Sequence, residues 1–248
     1  MKILALLLAL FVSTAEAQIA HDATSSNPFT LVAATSASYN HTAVGTPSVA
    51  LCVAFWDTTN PTGMTYGGAA MTEQTDWSAV AGSRLYYKTS PATGTQAVVS
   101  NWGGAVTQTG IVTCMTLTGT ANPPFVVGAN VPGSSSCCGG ITNTNLSVNT
   151  LDRGSNDWLL VTMFVGPNAL PETVTQTTET QMSNNSYGMP GSYSTLIVSR
   201  EGAGGDGNIN YTWTNATDYS GFGISIEAAP ITSRIKDIIA HGMVPKRR

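Results

Sequence analysis

Tyr66-Gly67-Gly68-Ala69-Ala70-Met71-Thr72, Leu85-Tyr86-Tyr87, Pro91-Ala92-Thr93-Gly94-Thr95, Val98-Val99 and Trp102 follow one another within residues 64–102. Short apolar runs broken by glycine and proline mark β-strands joined by tight turns. Residues 66–72 read as one strand. Residues 84–88 and 96–102 read as the arms of a hairpin closed by Pro91-Ala92-Thr93-Gly94. Upstream, residues 27–37 read as an opening strand with Phe29, Leu31 and Ala33 on one face. Val49-Ala50-Leu51-Cys52-Val53-Ala54-Phe55-Trp56 is apolar on both faces, which marks a central strand covered on both sides or a buried edge. Downstream, residues 111–117 place Val112, Cys114 and Thr116 on one face of a further strand.

The layout returns about 110 residues later. Residues 158–165 answer the Val49 run, 173–182 the Tyr66 run, 194–198 with 208–213 the hairpin, and 221–228 the Ile111 run. Trp102 then matches Trp213, and Gly110 matches Gly221. Two tandem domains or one sandwich with similar halves would both give this echo. Four or five strands per half close a core poorly alone, so the expectation is a single jelly-roll-like antiparallel β-sandwich over residues 18–229. Its half-repeats fall at about 49–119 and 158–229. The Gly-, Ser- and Asn-rich link between them is expected to hold short strands near 125–129 and 145–150.

The Tyr66 run, the Leu85-Tyr86-Tyr87 and Pro91-Ala92-Thr93-Gly94-Thr95 unit, and the close Leu117-Thr118-Gly119 resemble a recurring pattern of secreted bacterial and phage-associated jelly-roll proteins, most without an assigned activity. The likeness spans roughly residues 28–229. It implies a fold and an extracellular or particle-surface setting, and it implies no catalytic residues.

Composition agrees with that setting. Hydrophobic residues make up 42% of the chain, enough for a large core, while charged residues make up 10%, far below the ~25% of ordinary soluble domains. Residues 1–17 read as an export signal: Lys2, an apolar run over 3–12, and the small-x-small site Ala15-Glu16-Ala17. That run is too short to span a bilayer, and no later segment is expected to. Between residues 18 and 230, twelve acids face four bases (Arg84, Lys88, Arg153, Arg200), a net charge of −8. Such a body repels nucleic acid. The basic tail over 230–248, with a short helix expected over 232–240, carries five bases.

Little in the sequence points to chemistry. His21, His41 and His241 are the three histidines, and of these His41 is the one placed to reach a site in the body. No Gly-x-Ser-x-Gly elbow and no His/Cys metal-ligand spacing is present. A glycosidase needs two facing carboxylates and no imidazole. The pairs on offer are Glu73 with Asp76, Glu172 with Glu179, and Glu201 with Asp206. Asp152, Asn156, Asp157, Asp206 and Asp218 are oxygen ligands of the type calcium takes, but such residues also favour turns through their own hydrogen bonds. No cofactor is expected, and calcium is the one ion these residues suit.

Export permits disulfides. Cys52 and Cys114 either bond or pack as buried thiols. Cys137-Cys138 either bond to each other or pair elsewhere. Trp102, Trp158 and Trp213 fall in strands and read as core. Trp56, Trp77, Tyr187 and Tyr193, at strand ends and turns, are the candidate ligand-stacking rings. Asn40, Asn145, Asn184, Asn210 and Asn215 open glycosylation sequons. The role these features favour is an exported, non-enzymatic surface, particle or matrix component whose partner is a glycan or another protein surface. The alternatives are a carbohydrate-active enzyme working through a carboxylate pair and a dedicated lectin domain.

Overall fold

A computed structural model describes residues 18–56, 59–74, 83–125, 131–136, 143–149, 156–168, 173–176, 180–189, 192–201, 208–217 and 219–230. The expected export signal, the basic tail with its helix, Trp77, Cys137 and Cys138 lie outside them. The described residues form an all-β, antiparallel structure without a helix.

Two long strands frame the first half. β1 (Ala20–Ala43) and β7 (Gly94–Thr118) pair antiparallel from Ala20 opposite Thr118 to Ala43 opposite Gly94. The register slips between Leu31, Ala34 and Ser36, and Ala33 there adopts φ 49°. The extra residues of such a bulge bend a strand and increase its twist. On one side of the bend, β2 (Val49–Trp56) pairs with β7 from Leu117 to Gly110. On the other side, β3 (Gly63–Tyr66) pairs with β7 from Asn101 to Val98. β4 (Ala69–Ala70) extends the sheet beyond β3. β5 (Thr72–Glu73) and β6 (Ser83–Thr89) extend it beyond β2. One seven-stranded sheet is thus folded over onto itself.

The second half places β16 (Tyr219–Ala228) beside both β8 (Thr120–Phe125) and β9 (Val131–Ser136). Its sheet continues through β11 (Trp158–Asn168) and β14 (Ser192–Glu201) to β13 (Thr180–Met189). A separate sheet is ordered β10 (Asn143–Asn149), β15 (Asn208–Thr217), β12 (Val174–Gln176).

Alternation along β2 shows how the layers stack. Val49, Leu51, Val53 and Phe55 join Trp158, Leu160, Leu196, Val198, Ile224 and Ile226 in one core between the two halves. Ala50, Cys52, Ala54 and Trp56 point the other way, against Met64, Tyr66 and Val98 inside the first half. In β11, Leu159, Val161 and Val165 likewise face Ile209, Tyr211 and Trp213. Strands covered on both sides favour apolar residues on both faces, which accounts for the unbroken run at 49–56. Each large side chain buried there contributes roughly 1.5–3 kcal/mol. A hydrogen bond of 2.8 Å between Ser26 and Ser183 also joins the halves.

Three expectations are corrected. Residues 84–88 and 96–102 do not form a hairpin: β6 pairs with β2 and β5, while the first part of β7 pairs with β1 and β3. Ser90 at φ 47° and Pro91, which has no N–H to donate, stop pairing after β6, and Gly94 at φ 72° restarts the chain in the other layer. β14 and β15 similarly lie in different sheets. The Tyr66 run is not one strand, because Gly67 and Gly68 at φ 57° and 77° close a two-residue β3–β4 hairpin with Tyr66 opposite Ala69. Finally, β1 is far longer than 27–37, and its bulge leaves Ala33 exposed while Leu31 is buried.

Candidate functional site

The residues singled out for chemistry are dispersed. Trp56 is 4% exposed, and its indole N–H donates to Asn60 Oδ1 at 3.1 Å. A ring so buried offers no face to a sugar. Tyr187 and Tyr193 lie in neighbouring strands β13 and β14, offset by one pair in register. Glu73 is held by Arg84 at 2.8 Å; its suggested partner Asp76, and at least one member of each other carboxylate pair, lie outside the described residues. Asp157 is buried and its Oδ1 accepts the Ala228 N–H at 2.8 Å, tying the start of β11 to the end of β16. That is a structural use of a carboxylate.

Cys52 and Cys114 face one another across β2 and β7 and are joined in a disulfide; both are fully buried. Cys114 also lies opposite Ser25 of β1. Around this point the structure gathers polar groups that are scattered in sequence. The bend in β1 brings Ser25 and Asp22 from its first arm to His41 on its second. Ser25 Oγ is 2.6 Å from His41 Nδ1, and His41 Nε2 is 3.3 Å from Thr116 Oγ1. Thr116 Oγ1 donates to Asp22 Oδ2 at 2.7 Å.

The directions of these bonds follow from counting protons. Ionised Asp22 only accepts, so the single Thr116 hydroxyl proton goes to it. Thr116 oxygen must then accept from His41 Nε2–H, which leaves Nδ1 of the neutral imidazole to accept from Ser25. The chain therefore runs Ser25 to His41 to Thr116 to Asp22. Asp22 also accepts the Gly45 and Val44 N–H groups at 2.6 and 3.2 Å.

This order resembles a serine nucleophile with its base, with a threonine inserted before the carboxylate. The surroundings of this chain are closed. His41 is 0% exposed. The two loop N–H groups beside the chain are both committed to Asp22, so neither is left to stabilise an oxyanion. The nearby phenols are shifted further above neutral pH. Burial pushes Tyr39 and Tyr66 up. Tyr86 is raised to about 12, by burial first and the Glu73 carboxylate second. The arrangement satisfies buried polar groups and pins the two arms of β1 to β7.

Burial lowers the pKa of His41, with His21 adding and the Asp22 carboxylate opposing. His21 is lowered by burial first and then by the Arg200 cation. Burial alone would raise Asp22, but hydrogen bonds from Thr116, Gly45 and Val44 hold it below its ordinary value. Both histidines therefore bind protons more readily unfolded than folded. Their contribution to stability is complete above the ordinary imidazole value of 6.5 and is lost as pH falls below it. Urea denaturation is expected to show a lower midpoint at about pH 5 than at about pH 7.5. His41→Gln should flatten that slope while costing roughly 1–3 kcal/mol at neutral pH. An unchanged slope would remove His41 from this account. Asp22 gives way only below its ordinary value of 3.8.

Ser25, Asp22 and Thr116 escape sequence reasoning because the β1 bend creates their proximity. The one available signal is the alternation Ala37, Tyr39, His41, Ala43, which turns His41 inward. No protein-family model matches the chain, and neither do any of the curated proteins or solved structures compared with it.

Proposed function

We propose that the chain is an exported, non-enzymatic component of a cell surface, particle or matrix, built from two jelly-roll wraps fused through a common core. The observation that carries the non-enzymatic reading is the closure of the Ser25–His41–Thr116–Asp22 chain, with His41 at 0% exposure and the adjacent N–H groups committed. A nucleophile and base wired this way hold a strand corner in place.

Strand order supports the two wraps. In the first half, the first arm of β1, the second arm of β7, β2 and β6 run side by side, and the second arm of β1, the first arm of β7, β3 and β4 do likewise. In the second half, β8 and β9, β16, β11 and β14 correspond to the first set, and β10, β15 and β12 to the second. Two interleaved four-stranded sets are those of a jelly roll, and the second half follows this order with three strands in its smaller sheet. The buried Cys52–Cys114 disulfide is compatible with an oxidising compartment, and this favours export alongside the signal-like residues 1–17. Surface partners, glycan or protein, meet a body dominated by neutral Ser, Thr and Asn.

A fluorophosphonate probe tests the reading directly. The native protein is expected to remain unlabelled at Ser25, and a glycan array is expected to give binding without product or no binding. Covalent labelling of Ser25, or hydrolysis of any glycan bound, would overturn it.

A further inference from the structure

The chain leading into β1 is fixed on one side and open on the other. Ile19 is 2% exposed and belongs to the core between the two halves. Ala20 opens the pairing with β7, opposite Thr118. Gln18 precedes that ladder and is exposed. Its carbonyl oxygen lies so close to Gly119 that a Cβ added there would collide with it. Gly119 adopts φ 73°, and its own carbonyl accepts the Ala229 N–H at 2.8 Å, which ties the end of β16 to the same corner. The carbonyl side of Gln18 is therefore packed, while the residue as a whole is open to solvent.

The expected export cut falls immediately before this residue. Ala15-Glu16-Ala17 is the small-x-small site, so cleavage after Ala17 frees the α-amine of Gln18. A cut one residue later would place an ammonium directly on Ile19, where the core excludes water and burying charge is costly. The cut after Ala17 leaves both the core and the ladder whole. An α-amine is far less basic than a lysine side chain, so a usable fraction is unprotonated and nucleophilic near neutral pH. Gln18 carries its own electrophile, the side-chain amide carbon, at the spacing that closes a five-membered ring.

We infer that Gln18 is a modification site, closing on itself to an N-terminal pyroglutamate once the chain is exported. This rests on the export reading above. The α-amine nitrogen bonds to Cδ, the Cδ–Nε2 bond breaks, and the amide nitrogen leaves as ammonia with the proton that the amine gives up. Nothing is oxidised or reduced, and no co-reactant is needed. The ring lies on the N-terminal side of Cα, as the ring of proline does, so the carbonyl packed at Gly119 keeps its place. The product carries no ammonium beside Ile19 and no free amine for an aminopeptidase to hold.

The full chain, expressed with residues 1–17 in an exporting bacterial host, tests this by intact mass and by tandem mass spectrometry of the N-terminal peptide. Mature protein is expected to start at Gln18, to weigh one ammonia less than its sequence requires, and to resist Edman sequencing. Gln18→Ala should be cut at the same place, keep its full mass and sequence normally from the alanine. Weighing the undigested chain at harvest and again after incubation at neutral pH separates this from ring closure during peptide handling. A start at Gln18 that keeps its ammonia throughout would overturn the ring and leave the export reading standing. The same loss from Gln18→Ala would place it elsewhere in the chain and overturn the assignment to Gln18. A chain that retains residues 1–17, or begins at another residue, would overturn the export cut and the ring together.

Discussion

Replacing Cys52 and Cys114 together with alanine is expected to lower the free energy of unfolding by about 4 kcal/mol. The bridge closes a loop with a sequence separation of 62. Opening a loop of that length returns roughly this much conformational freedom to the unfolded chain. The folded side has little to set against the loss. Both sulfurs are fully buried between Ala50, Ala54, Tyr86 and Val112, where the shorter alanines leave unfilled space. Against a typical total of about 5–15 kcal/mol, the double variant should be marginal at body temperature. Urea denaturation of wild type, wild type kept reduced, and the double variant checks this. Reduction and substitution should fall within about 1 kcal/mol of one another, because both act chiefly through the unfolded chain. A loss below about 1 kcal/mol in the double variant would show that the long β1–β7 ladder, rather than the bridge, holds β2 in place.

How much of this could be read beforehand differs from element to element. The run at 49–56 announced a central strand or a buried edge because such positions favour apolar residues, and Val49, Leu51, Val53 and Phe55 do face the second half. Gly67-Gly68 reads as the interior of one strand over 66–72, whereas its two successive positive φ values make a tight turn there. Pairing partners were not visible. Tyr87 and Val98, on the two sides of Pro91 and Gly94, have the alternation of hairpin arms, yet they join different layers, because alternation specifies a buried face and not the neighbour in the sheet. The polar chain was hidden for a related reason. Asp22, Ser25 and His41 converge only when the bulge near Ala33 bends β1, and no residue type in that segment advertises such a bulge. His41 stands out in the sequence only as placed to reach a site in the body, outside the expected strands, whereas β1 runs on through it to Ala43. Trp56 shows the opposite failure, since its place at a strand end suggested a rim and its ring lies in the core.

Gly110→Ala is expected to cost about 3 kcal/mol, out of proportion to a single methyl. Gly110 sits on β7 between Phe29 of β1 and Trp56 of β2, just past the bend. A methyl there would meet Phe29 Cζ and the Phe55 carbonyl oxygen, each at 2.5 Å. The two obstacles differ in kind. The Phe29 ring, packed edge-on to Trp102 at 5.9 Å, can tilt away at some loss of packing. The Phe55 carbonyl belongs to β2 and moves only with that strand, which is covered on both faces. Shortening the ring should therefore rescue only part of the loss: Phe29→Ala with Gly110→Ala should remain at least about 1 kcal/mol less stable than Phe29→Ala alone. Gly104→Ala, where an added methyl meets nothing within 4 Å, should stay within about 0.5 kcal/mol of wild type. Denaturant midpoints of these four variants separate the contributions. Full rescue by Phe29→Ala would mean that β2 can yield. The close approach of β1, β7 and β2 at Gly110 would then follow from the bend rather than help to set it. Partial rescue would make the missing side chain at Gly110 a condition for bringing the three strands together at the corner on which the Ser25–His41–Thr116–Asp22 chain depends.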